Sequence, residues 1–222
     1  MLKREELLEM FESAGAIRHG HFELSSGLHS GMYVQCAVVL QYPRFAEKLG
    51  QDLAELSAAA EIEAVVSPAM GGLIIGQEVA RALPERKISS GEPDNAGVPA
   101  IFVERDANRV MSMRRGFTLQ AAQRVLLVED VWTTGGSSRE AIRVVEEDGG
   151  RVVAAAALID RSGGKIDLGV PAQALLDLSI PSYEAKDCPL CQTGSVAVKP
   201  GSRFARSTDE SGDSNARTTA VG

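Results

Sequence analysis

Residues 125–138, VLLVEDVWTTGGSS, place two carboxylates, Glu129 and Asp130, directly behind four consecutive apolar residues, Val125 to Val128. After the pair Val131-Trp132 come Thr133, Thr134, Gly135, Gly136, Ser137 and Ser138 without a break. An apolar strand delivers the acids at its carboxyl end, and the small residues open a helix. Glycines let backbone N–H groups point inward, hydroxyls donate further hydrogen bonds, and a helix N-terminus adds positive partial charge. Such a loop suits an anion. The carboxylates before it can accept hydrogen bonds from a diol or hold Mg2+ through water. One segment can therefore grip a phosphate at one end and a sugar diol at the other. A capped helix after a strand also uses Ser, Thr and Gly, but it has no need of an acidic pair ahead of six such residues. No Lys follows the glycines as in a Walker loop, and the G-x-G-x-x-G spacing is absent.

Pro68-Ala69-Met70-Gly71-Gly72 follows a short apolar strand and reads as a second backbone anion site. Arg161 stands just past another apolar strand. An Arg there commonly caps the strand in solvent, but a planar guanidinium is also the natural partner of a carboxylate. RDANRVMSMRR (105–115) holds four arginines. Cys188-Pro-Leu-Cys191 has half the spacing of a zinc site. No second CxxC exists, and only Cys36, His19, His21 and His29 could complete it. The expectation is a reduced structural turn in preference to zinc.

Elements must position these groups. Residues 3–14 carry Leu7, Phe11 and Ala14 at helical spacing. HFELSSGLHSGMYV (21–34) alternates on both sides of a turn, as a hairpin does. Pro43 opens a second helix with Phe45, Leu49, Leu53 and Leu56 on one face. From residue 62 strands alternate with helices: strands at 62–67, 100–104, 124–130 and 151–159, helices at 71–83 and 136–147. Continuously apolar strands alternating with helices predict an α/β fold with a parallel sheet covered on both faces, which binds ligands at the strands' carboxyl ends. Residues 84–98 are polar and contain Gly and Pro, and 204–222 are predicted to be a disordered tail.

Lys plus Arg is 23 and Asp plus Glu is 30, a net charge of −7. That balance argues against nucleic acid as the main partner, because a phosphate backbone needs a net basic face. Three cysteines suit a reducing compartment. MLKREELLEM lacks an apolar signal region, and no stretch approaches the roughly 18 apolar residues of a membrane span. A cytoplasmic protein without membrane contact is expected.

At 125–138 the chain resembles the type I phosphoribosyltransferases. That resemblance implies a central parallel sheet flanked by helices with an N-terminal hood: one domain over 1–203, hood about 1–60 and core about 61–203. It implies that Glu129 and Asp130 meet the ribose hydroxyls of phosphoribosyl pyrophosphate, that Thr133 to Ser137, including Thr134, Gly135 and Gly136, hold its 5′-phosphate, and that Val131 and Trp132 also border that substrate, Trp132 as packing beside the pocket or against the base. Further segments resemble the orotate branch of the family: 20–37 its hood motif, 67–80 its pyrophosphate loop, 159–164 its source of an Arg, and 188–203 the tail of one branch. By that likeness Met70, Gly71, Gly72 and Arg105 meet pyrophosphate, while Arg161, Thr133, Ser25 and Tyr33 face orotate. Mg2+, held mainly by the substrate's pyrophosphate, and a homodimer with shared active sites are also implied.

The chain departs from that pattern where the family often carries Lys, at Ser25 and Gly71, and in its mobile loop, which here has neither Lys nor His. Arg109, Arg114 and Arg115 are candidates to supply the missing charge, or else a solvated basic strand pair. The catalytic set expected is Asp130, Glu129, Arg105 and Arg109. The other readings are transfer to another nucleobase, or a non-catalytic sensor of phosphoribosyl pyrophosphate. Regulators of that kind carry an added DNA-binding domain, and no basic recognition helix precedes residue 60.

Overall fold

The computed structural model describes residues 1–24, 26–84 and 97–200. Ser25, most of the 84–98 segment and the 204–222 tail lie outside them. The chain forms α1 (Arg4–Ser13), a hairpin of β1 (Ile17–Glu23) and β2 (His29–Val34), α2 (Cys36–Leu40) and α3 (Pro43–Ser57). Strands and helices then alternate: β3 (Ala64–Pro68), α4 (Gly72–Ala82), β4 (Ala100–Arg105), β5 (Met111–Met113), β6 (Arg124–Trp132), α5 (Gly136–Glu147), β7 (Arg151–Asp160) and β8 (Ala172–Asp177). Two short pieces follow, β9 (Ser182–Tyr183) and α6 (Pro189–Gln192).

The main sheet has the order β5-β4-β3-β6-β7-β8. All neighbours are parallel except β5, which returns antiparallel along the edge of β4. Successive residues of its strands point to opposite faces. Val65, Leu126, Val128, Ala154, Ala156 and Leu158 join Leu7, Phe11, Leu49, Leu53, Ile75 and Val79 of α1, α3 and α4. Ala64, Val66, Val125, Leu127, Ala155 and Ala157 join Ala141, Ile142 and Val145 of α5. Both faces are covered, which is why these strands read as unbroken apolar runs.

Close approaches tighten one layer. A Cβ at Gly50 of α3 would lie 2.7 Å from the Glu78 carbonyl carbon, so glycine lets α3 cross α4 at backbone contact. Asp52, 1% exposed, accepts from the Leu2 amide at 2.8 Å and from Lys48 at 2.6 Å, tying the N-terminus to α3. The hairpin forms a second sheet, β1-β2-β9, to which the C-terminal segment adds a strand. The expected elements are present, with β6 and β7 longer than expected. α2, β5, β8, β9 and α6 have no counterpart among the predicted elements.

Candidate active site

Because β6 runs to Trp132, Glu129 and Asp130 sit inside the parallel sheet near its carboxyl edge, with Glu129 beside Ala157 of β7. The chain then turns through Thr133 and Thr134, both exposed, into Gly135 at φ 72°, and α5 begins at Gly136. An L side chain is disfavoured at that φ, so Gly135 is what allows the strand to enter the helix in one turn. The loop from Thr133 to Ser137 encloses, with Arg105, Glu129, Val131 and Glu140, a pocket of about 220 Å3.

The acids differ in aim. Glu129 is 9% exposed and turned inward: the Ser138 hydroxyl donates to it through a short hydrogen bond and itself accepts from Trp132 Nε1 at 3.0 Å. Burial lifts the Glu129 carboxyl to about 7, against the Ser138 hydrogen bond and with help from the neighbouring charge of Asp130. The folded state therefore binds its proton more tightly than the unfolded chain, so this group's contribution falls as pH rises from the ordinary carboxyl value through 7. Glu129→Gln is expected to raise Tm by roughly 5 °C or more at pH 8, with the gain vanishing near pH 4, in paired thermal melts.

Asp130 is half-buried, and its Oδ1 accepts from the Val131 amide at 3.0 Å. Burial raises its pKa, with backbone hydrogen bonds from Val131 and its own amide opposing. A Cβ built on Gly71 would lie 2.5 Å from either carboxylate oxygen of Asp130, so the 68–72 loop abuts this acid. The Ala69–Met70 peptide is cis, and Met70 is 81% exposed. Gly71→Ala is expected to displace the Asp130 carboxylate and cut turnover at least about tenfold, about 1.4 kcal/mol of barrier, in steady-state kinetics.

Arg161 follows β7, and its amide donates to Trp132 O at 2.8 Å. The guanidinium is half-buried, and its Nε is fully buried without a hydrogen-bond partner among the described residues. Desolvation pulls its pKa below the ordinary arginine value, opposed by Cys36 and Tyr33. Buried Cys36, at the start of α2, donates to Asp130 O at 3.8 Å. Desolvation first, then Asp130, push its thiol well up, with Arg161 opposing. Tyr33 packs on Phe22 and donates to Gln35 at 3.2 Å. Tyr33, Cys36, Arg161 and Asp130 thus bring the hairpin and the sheet edge together.

The remaining expected residues take the following places. Trp132 is 2% exposed in the α5-side core, which leaves only its backbone for a ligand. Arg105 is held by Glu140 at 2.6 Å and by the Arg109 carbonyl at 2.8 Å. Arg109 sits exposed in the β4–β5 turn at φ 65°, outside the lining of the pocket. Arg115 pairs with Glu104 at 2.8 Å, and Arg114 with the same acid at 4.0 Å.

Arg139 and Glu140 escape sequence reasoning, which reads Ser138 only as a loop hydroxyl. Ser138 links Trp132 to Glu129, Glu140 holds Arg105, and Arg139 donates to the Thr134 and Asp167 carbonyls, clamping the loop. All lie at the start of α5, Ser138 closing the loop motif and Arg139 and Glu140 following it directly.

The Phosphoribosyl transferase domain profile matches residues 39–170, and the chain belongs to that family. Its fold is the α/β fold of the type I enzymes. Orotate phosphoribosyltransferases are among its relatives. The orotate phosphoribosyltransferase of Pelotomaculum thermopropionicum is 48% identical over 202 residues, 91% of this chain and 99% of that one. The Thermotoga maritima enzyme of the same name is 47% identical, covering 88% of this chain and 97% of that one. A crystal structure of Mycobacterium tuberculosis orotate phosphoribosyltransferase with 5-phospho-alpha-D-ribosyl 1-diphosphate superposes with a TM-score of 0.58 at 25% identity, covering 79% of this chain and 96% of that one.

Proposed function

We propose that this chain transfers the ribose 5-phosphate of phosphoribosyl pyrophosphate to orotate, giving orotidine 5′-phosphate and pyrophosphate, a step of de novo pyrimidine synthesis. The observation that carries the reading is the convergence of the β6–α5 loop, the Asp130–Gly71 contact and Arg161 at one edge of the sheet. Thr133 to Ser137 hold the 5′-phosphate with amides, hydroxyls and the α5 N-terminus. Asp130 takes the ribose hydroxyls, with Glu129 behind it. The loop Met70-Gly71-Gly72 and Arg105 take the pyrophosphate, and Arg161, Thr133 and Tyr33 orient orotate. The unpartnered Arg161 Nε supports an anion there, since a buried donor without an acceptor is costly.

Displacement at the anomeric carbon develops positive charge on the sugar and negative charge on the leaving pyrophosphate. The protein's part is positioning and charge stabilisation. The ring nitrogen of orotate reacts as an anion, so no strong base is needed. A half-buried carboxylate at the sugar suits Mg2+, which keeps its waters and takes substrate phosphates. Asp130 would stand nearest to it, and the ion would neutralise the pyrophosphate. Arg105 can leave Glu140 for that group, with Arg109 arriving from the turn. The family likeness supports a homodimer and a cytoplasmic enzyme.

Incubation with orotate, phosphoribosyl pyrophosphate and Mg2+ is expected to yield orotidine 5′-phosphate and pyrophosphate in equal amounts by chromatography. A nucleotide formed from a purine but not from orotate would assign the fold to another base. No turnover, with DNA retained in the presence of phosphoribosyl pyrophosphate, would make the chain a sensor.

A further inference from the structure

We propose that His21, His29, Cys188 and Cys191 form a structural zinc site that clips the C-terminal segment onto the N-terminal hairpin. The ligand atoms all lie within 4.8 Å of one another. His21 Nε2 and His29 Nδ1 are 2.9 Å apart, Cys188 Sγ is 3.4 Å from His21 Nε2, and Cys191 Sγ is 3.3 Å from His29 Nδ1 and 3.8 Å from His21 Nε2. Bonds of ~2.05 Å to nitrogen and ~2.3 Å to sulfur at tetrahedral angles place ligand atoms about 3.3–3.8 Å apart. Three of the four distances given lie in that range, the two nitrogens would part slightly, and the remaining pairs are within 4.8 Å. Two thiols and two imidazoles in this arrangement select zinc over hard cations such as Mg2+.

A second observation fixes the direction of one ligand. His21 Nδ1 lies 3.1 Å from the Ser195 carbonyl, which can only accept, so Nδ1 carries the proton and the Nε2 lone pair points into the cluster. Such an outer hydrogen bond is the usual way a metal-binding histidine is oriented.

A third observation is what else holds this segment. Of residues 181–200, Cys188 alone is buried. Val196 and Val198 are 83% and 62% exposed, so little apolar burial secures the chain here. It is attached by β9 against β2, by Val198 hydrogen-bonded across to His21 and Glu23, and by Lys199 paired with Glu23. A metal joining residues more than 150 positions apart supplies the missing anchor. It would brace β1 and β2 as a unit, and β2 also carries Tyr33.

The full chain, purified with a phosphine reductant and without chelator, is expected to hold roughly one zinc per chain by elemental mass spectrometry. Removing it with a chelator under reductant and adding Zn2+ back should restore Tm by roughly 5 °C or more. Co2+ added to the stripped protein should give thiolate-to-cobalt charge-transfer bands and tetrahedral ligand-field bands. Cys188→Ser with Cys191→Ser should lose metal and bands together. Zinc below roughly a tenth per chain after Zn2+ is supplied under reductant, or a cobalt spectrum without thiolate bands, would overturn the site. So would full zinc retention in the double variant. The first two readouts use the unaltered chain, so a misfolded variant leaves them standing, and none depends on the transferase reading.

Discussion

Replacement of Asp130 by Asn is expected to lower kcat at least about tenfold, a barrier increase of about 1.4 kcal/mol or more. Asn keeps the shape of the side chain and an acceptor for the Val131 amide, so the end of β6 need not move. It removes the one negative charge that is half-buried between the phosphate loop and Gly71. That charge is kept at a cost, since burial raises its pKa. A positive sugar in the transition state offsets the cost, whereas Asn offers only a neutral dipole. The variant is therefore expected to fold with a Tm at or above that of the unaltered chain while losing turnover. Unchanged kcat would remove Asp130 from the chemistry, and a lost Tm would make it structural.

Arg161→Ala is expected to raise KM for orotate about a hundredfold and to leave KM for phosphoribosyl pyrophosphate within about threefold. Hydrogen bonds to a charged group contribute roughly 1.5–3 kcal/mol each, and each 1.4 kcal/mol is a decade of affinity. One bidentate guanidinium–carboxylate pair thus accounts for the hundredfold. Arg161 stands after β7 and contacts the β6–α5 turn through its amide to Trp132, a contact alanine retains. The separation of the two KM values is what distinguishes a carboxylate partner from general disturbance of the loop. Equal increases in both would sink the assignment.

The sequence made the sheet legible where strands are buried on both faces. The run Val125 to Val128 and the small residues after it placed β6, the loop and α5 within a few residues. β8 escaped because an edge strand with half-exposed residues, AQALLD, has neither a continuous apolar run nor clean alternation. β5 has three residues and is set by its pairing with β4 rather than by its own composition. At the site, Glu129 and Asp130 read alike as neighbours in a strand, yet alternation sends one to Ser138 in the core and the other to the Gly71 loop. Trp132 breaks that alternation: it joins Val125 and Leu127 on the α5-side face, bonds the same Ser138 as Glu129, and is buried. The His21–Cys188 proximity joins two segments that no local pattern connects, so the CPLC motif alone read as a turn.

The central claim is a site that holds a ribose phosphate and selects orotate by its carboxylate. Its most direct measurement is pyrophosphate release from phosphoribosyl pyrophosphate with orotate and with uracil, which has the same ring without that group. A site built around a charged partner rejects the analogue lacking it, so kcat/KM is predicted to favour orotate by on the order of a thousandfold. Comparable values for the two bases, or release with uracil and none with orotate, would contradict the account.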